Sequence, residues 1–234
     1  MTASDPTDGG PVEAYPFPTT LRAQVVTPGA RPRVHGYDVE SDIASHYGFG
    51  ESVLLALTGR SPDAATGRCF ELAMVFLSPL AVTEAPTHAA VLARVCAGSA
   101  SAVTATAGVA LAEQARWILE QQAEYIEWLD GGCNGDVPLC ARAADDDERQ
   151  SVERLRRAVA AVAVDYLHAA DLGRDAALLS LLYRCGLHTP EQMQVALVVA
   201  RLATCVSEAL ANKRGALREY PMNLPAFAYE ESPR

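Results

Sequence analysis

Between Asp38 and Ala211 the chain is a succession of apolar runs at helical spacing, most opened or closed by a capping residue, and this argues against a central β-sheet. Residues 49–58 are short and apolar, and Gly59 follows in the place of a left-handed C-cap. Ser61-Pro62 sets a hydroxyl N-cap before a proline at the first helical position, which predicts a helix through residues 69–77 that stops near Pro79. Another helix follows Pro86 and runs to about Ala97. Gly98-Ser99 then opens a long segment, 102–129, rich at first in Ala, Thr, Gly and Val, whose small side chains let helices approach closely. Its second half sets Leu111, Ile118 and Tyr125 seven residues apart on one face, and Gly131-Gly132 breaks it. Residues 130–150 read as a polar loop carrying Asp145-Asp146-Asp147-Glu148. Residues 152–167 and 175–185 are helical, and Thr189-Pro190-Glu191-Gln192 is a capping box. Val195, Val198, Val199, Leu202 and Val206 then follow helical spacing.

The ends differ. Residues 1–18 hold four prolines and Gly9-Gly10 and read as a flexible arm; residues 19–234 form the helical domain, with a small lobe at roughly 135–200. Strands are expected only around residues 23–27 and 33–34, before Gly36, with Gly29 and Pro32 turning the chain between them. The tail from Tyr220 holds Pro221, Pro225 and Pro233 and reads as extended.

Charge narrows the partners. A net charge of -10 argues against a general grip on nucleic-acid phosphates. The opening MTASDPTDGG lacks the basic and apolar regions of a secretory signal, and the apolar runs carry too many charges to span a membrane. The expected setting is cytoplasmic, with six reduced cysteines, none in a C-x-x-C pair. No metal site is expected: the five histidines have no Cys or carboxylate at ligand spacing.

The stretch from Thr19 to Pro62 resembles the opening of short citrate synthase-like proteins, through Thr20, Gly36-Tyr37-Asp38, Phe49, Leu54-Leu55, Gly59 and Pro62. Ala93-Arg94-Val95 with Ser99, residues 175–178, Gly186-Leu187, Pro190 and RLATCVSE at 201–208 are similar to later segments, in order, and Pro221 and Tyr229 to the close. Resemblance to the citrate synthase and citryl-CoA lyase family implies an all-α fold with a large and a small lobe and a short β element near the N-terminus. It implies a homodimer, or a heteromer with an active paralog, and an acyl-CoA with a di- or tricarboxylate as ligands. The small-residue segment 102–111 would permit close helix contact across such a dimer.

Chemistry beside a thioester needs a base for a weakly acidic α-proton, a donor for the enolate oxygen and cations for carboxylates. The family's histidine motifs fall here on Leu77-Ser78-Pro79-Leu80, Ala112-Glu113-Gln114-Ala115 and Gly132-Cys133-Asn134-Gly135, all without His. Gln114 can donate a hydrogen bond but has no tunable proton. The aspartate base of the family's D-P-R motif has two counterparts of equal standing, Cys140 with Arg142, and Asp147 with Arg149. Cys140 and Asp147 are thus the catalytic candidates, and Arg94, Arg142 and Arg149 the substrate-binding ones. Several lost roles favour a binding, regulatory or heteromeric subunit over an acyl-CoA carbon–carbon lyase or synthase with a rearranged site. A helical interaction domain that is similar only in architecture is a third reading.

Overall fold

The computed structural model describes residues 20–162 and 171–219. The arm, His168, the end of the helix expected over 152–167, and Tyr220, Pro221 and Tyr229 lie outside the described residues. Within them nine α-helices follow a small three-stranded antiparallel sheet.

Strands β1 (Val26–Thr27), β2 (Arg33–Val34) and β3 (Tyr37–Asp38) pair in chain order. The sheet therefore passes Gly36, which the sequence had set as its limit. The reason is the two-residue turn His35-Gly36, with φ of 49° and 88°, between the paired residues Val34 and Tyr37. Positive φ at both central positions gives a hairpin turn whose twist matches its strands. His35 holds this conformation with its ring Nε2 3.2 Å from the Ala56 carbonyl. Asp38 then caps a π-helical turn (Val39–Ile43), accepting from the Ser41 and Glu40 N–H groups at 3.0 Å each. The turn runs into α1 (Ala44–His46).

Helix α2 (Phe49–Thr58) ends at Gly59, whose φ of 69° and N–H bond to the Leu55 carbonyl at 2.8 Å make the expected left-handed cap. Helix α3 (Ala64–Leu77) begins later than Ser61-Pro62 suggested. Asp63 is its N-cap, accepting from the Thr66 N–H at 2.7 Å, while the Ser61 hydroxyl is bonded to the Tyr47 hydroxyl. Helix α4 (Ala85–Val95) leads to α5 (Ala100–Gln121), capped by Ser99. The helix expected over 102–129 is two: the chain breaks at Gln122 before α6 (Ala123–Asp130), and the Gln122 amide donates to the Cys140 carbonyl at 2.8 Å. Leu111, Ile118 and Tyr125 are all buried.

Helix α7 (Asp146–Ala160) starts inside the carboxylate run that the sequence had placed in a loop. Asp145 caps it through the Glu148 N–H at 2.8 Å, and the acids sit where the helix dipole favours them. Helices α8 (Arg174–Arg184) and α9 (Pro190–Ala211) complete the fold, the latter opened by the Thr189–Gln192 capping box.

Two apolar clusters form the core. The larger joins α2, α3, the end of α5, α6, α7, α8 and the start of α9; the smaller joins α4, the first half of α5 and the second half of α9. The buried face of α9 is Met193, Ala196, Leu197, Arg201, Cys205 and Ala209. Of the face expected from the sequence, Val195 is exposed and Val198, Val199, Leu202 and Val206 are half-buried. Apolar residues nearly surround this helix, so spacing alone did not choose between its faces. Among the described residues α9 is the one helix long and apolar enough to cross a membrane, and it carries a buried arginine.

Candidate functional site

A helix ends with carbonyls that have no partner within it. Those at the end of α3 are satisfied from two other helices. Arg174 Nη2 donates to the Phe76 carbonyl at 2.8 Å, Arg201 Nε to that of Leu77 at 3.3 Å, and the Thr204 hydroxyl to that of Ser78 at 2.6 Å. Guanidinium groups here also complement the negative end of the helix dipole.

Arg201 is 8% exposed on an otherwise apolar helix face, a position that demands partners. Its Nη1 donates to Gln114 Oε1 at 3.3 Å, and Gln114 Nε2 donates to Glu84 Oε2 at 2.9 Å. The other Glu84 oxygen accepts from the Ala81 N–H at 3.1 Å. On α8, Asp175 is half-buried. Burial pushes its carboxyl above the usual range, against the attraction of Arg201 and then Arg174, and the nearby Glu148 and Glu84 carboxylates add to the rise. Glu148 bridges two segments, accepting from the Arg174 N–H at 2.7 Å and the Ala144 N–H at 2.8 Å. Two guanidinium groups, three carboxyls and one carboxamide thus gather round the end of α3. A carboxylate of raised basicity beside a guanidinium can accept a proton and hold an adjacent anion.

The residues chosen from the sequence lie around this cluster rather than in it. Cys140, Arg142, Asp147 and Arg149 meet at one corner, where residues 141–143 pair with 171–173 and α7 begins. There the Cys140 carbonyl takes the Gln122 amide, and Arg142 donates to the Val137 carbonyl at 3.2 and 3.3 Å. Arg149 pairs with Asp171 at 2.9 Å and Asp146 at 2.7 Å, and these bonds raise its pKa. Asp147 is exposed in the first turn of α7. Arg94 lies apart, at the opposite end of α4 from Glu84, with its Nε donating to the Asn212 carbonyl at 3.2 Å. Among the described residues no group of three or more His, Cys, Asp or Glu is placed to hold a metal ion.

Glu84, Arg174, Asp175 and Arg201 were not among the sequence candidates. One signal for them existed: Arg201 is a lone cation inside the apolar run from Val195 to Val206, and such a residue is either exposed or paired.

No protein-family model and no curated protein sequence matches the chain. Solved structures do match in fold. A citryl-CoA lyase from Hydrogenobacter thermophilus aligns with a TM-score of 0.64 and 13% identity, over 86% of this chain and 91% of that one. An ATP citrate lyase from Methanothrix soehngenii, in complex with citrate and coenzyme A, aligns at 0.59 with 14% identity, over 93% of this chain and 42% of that one. The ATP citrate lyase of Methanosaeta concilii, in complex with (3S)-citryl-CoA, aligns at 0.57 with 11% identity, over 94% and 44%. The chain therefore has the citryl-CoA lyase fold, and it spans less than half the length of the two ATP citrate lyase chains.

Proposed function

We propose that on this fold the chain is a citrate synthase- or citryl-CoA lyase-like protein that binds without reacting, as a binding, regulatory or heteromeric subunit. The observation that carries the reading is the commitment of the cluster's own groups. Arg174 and Arg201 are tied to the end of α3, and Gln114 is held between Arg201 and Glu84. Polarising a thioester takes a donor aimed at the developing oxyanion, and the Gln114 amide donates to the Glu84 carboxylate instead. The ligand class is an acyl-CoA with a di- or tricarboxylate. The partner is a second copy or an active paralog, seated on the small residues of α5 around the exposed Val109, and the setting is cytoplasmic.

The test supplies citryl-CoA, or acetyl-CoA with oxaloacetate, to the purified chain and follows the thioester absorbance. The expected result is no turnover, together with a higher melting temperature in the presence of acyl-CoA or tricarboxylate. Turnover at about one per second would overturn the binding-only reading.

One observation favours the second reading, a carbon–carbon lyase or synthase with a rearranged site: the raised carboxyl of Asp175 beside Arg201. Turnover lost in Asp175→Asn would place the base in the cluster, and turnover lost in Asp147→Ala or Cys140→Ala would place it at the corner.

A further inference from the structure

Of the chain's three asparagines, Asn134 is the one followed by glycine. The Asn134-Gly135 pair stands in the turn that leaves α6, where Asn134, Gly135 and Asp136 are all exposed. The start of that turn is tied to the helix. The Gly131, Gly132 and Cys133 N–H groups donate to the carbonyls of Glu127, Leu129 and Trp128 at 2.9, 3.1 and 2.9 Å. Beyond Cys133 the main-chain bonds stop, and among the described residues nothing accepts from the Gly135 N–H. Gly135 has φ of 79°, which side chains resist, and a Cβ added to it would meet nothing within 4 Å. The Asn134 Nδ2 donates to the Gly131 carbonyl at 2.6 Å and so holds the carboxamide over its own turn.

A main-chain nitrogen can attack the side-chain carbonyl carbon of the residue before it. The reaction is favoured when that N–H is unbonded, no side chain crowds the ring, and the turn stands clear of packing. Two other places show the contrast. Asp130-Gly131 has the glycine, but the Gly131 N–H is held by the Glu127 carbonyl at 2.9 Å. Asn212 has the carboxamide, but Lys213 follows it with a side chain, and its Nδ2 donates to the Glu208 carbonyl at 2.9 Å.

We propose that Asn134-Gly135 is a site of spontaneous modification, at which the folded chain converts Asn134 into aspartate and isoaspartate. The Gly135 nitrogen bonds to Asn134 Cγ, and the Cγ–Nδ2 bond breaks. The proton lost from Gly135 passes through solvent to Nδ2, which departs as ammonia. Water then opens the succinimide ring at either carbonyl. One opening gives aspartate; the other routes the main chain through the side-chain carbon, as isoaspartate. Both products lose the donor to the Gly131 carbonyl. Both also set a new carboxylate at the C-terminal end of α6, where the helix dipole opposes it, in a turn that already holds Asp130 and Asp136. The end of α6 is thereby weakened, and its Tyr125, Ile126 and Leu129 belong to the larger core cluster. The reaction uses nothing from the cluster at the end of α3 and holds whether or not that cluster is catalytic.

The experiment ages the full chain, folded, at neutral and at mildly alkaline pH, digests it at acid pH and reads the peptides by mass spectrometry. The Asn134 peptide should gain one mass unit with time, faster at the higher pH because the attacking nitrogen must shed its proton. Its product should separate into aspartate and isoaspartate forms on chromatography. The Asn212 peptide should stay unchanged over the same period, and Asn134→Gln should abolish the gain at this peptide. Asn134→Asp installs the charge without ageing and should melt below the wild type. Asn134 is exposed, so a native circular dichroism spectrum certifies that both variants fold. An intact Asn134 peptide in the aged, folded chain, or an equal rate at Asn212, would overturn the site. An Asn134→Asp melting temperature at or above the wild type's would overturn its effect on α6.

Discussion

Replacing Arg201 with methionine removes a buried charge while keeping much of the side-chain length. The loss leaves the Leu77 carbonyl and Gln114 Oε1 without the donors they have now, at about 1–3 kcal/mol for each buried acceptor left unpaired. It also takes from Asp175 the strongest attraction that opposes its burial. Removing one partner from a buried charged pair costs about 3–5 kcal/mol, and that is the expected total. In a chain of this size each kcal/mol lowers the melting temperature by roughly 2–4 °C. The pH dependence gives a second check. Asp175 has a folded pKa above its usual 3.8, so the folded state binds more protons in the window above that value, and stability falls as pH rises through it. Without Arg201 the folded pKa rises further and the window widens. The deficit of Arg201→Met should therefore be greatest at neutral pH and shrink on acidification as Asp175 takes up its proton. Urea unfolding of both proteins at matched concentration across that range measures it. A loss below about 1 kcal/mol, or a deficit that does not change with pH, would refute the reasoning.

Tyr125→Phe removes a buried hydroxyl that lies 2.5 Å from the Ser180 hydroxyl and should cost about 1–3 kcal/mol by urea unfolding. Burial pushes Tyr125 up to about 12, so wild-type stability should fall between about pH 10 and that value, where the unfolded tyrosine ionises first, and the fall should be smaller in the variant; equal slopes would count against the assignment. Sedimentation at micromolar concentration should show a dimer that Val109→Glu dissociates, since Val109 is 67% exposed and an added Cβ at the neighbouring Gly108 meets only open space. A wild-type chain that sediments only as monomer would remove the proposed interface.

Much of the fold was legible because helix signals are local. Gly59, Ser99 and the Thr189–Gln192 box each act within one turn, and each stands where the sequence placed it. Boundaries moved where side chains settle backbone ends that spacing leaves open. The break at Gln122 is held by the carbonyl of Cys140, and the onset of α3 went to Asp63, whose carboxylate takes the Thr66 N–H. The cluster at the end of α3 was least legible. Its bonds join residues far apart in the chain, such as Arg201 to Leu77 and Gln114 to Glu84, and no spacing rule brings these together. Arg94, Arg142 and Arg149 were chosen by resemblance to family segments, and each donates to a carbonyl or carboxylate of its own surroundings.

Arg201 also sets how α9 would partition if it met a bilayer before the fold had formed. Helix α9 is 22 residues long and apolar enough to pass for a membrane span, and the guanidinium sits near its middle. For a segment of that kind presented to a bilayer, the cost of entry is set residue by residue. A central arginine adds about 2.5–3.5 kcal/mol to the cost of entering the bilayer, a bias of roughly a hundredfold. The side chain that closes α3 in the finished fold would thus also oppose entry of the unpacked helix into lipid, and an apolar residue at this position would remove that barrier.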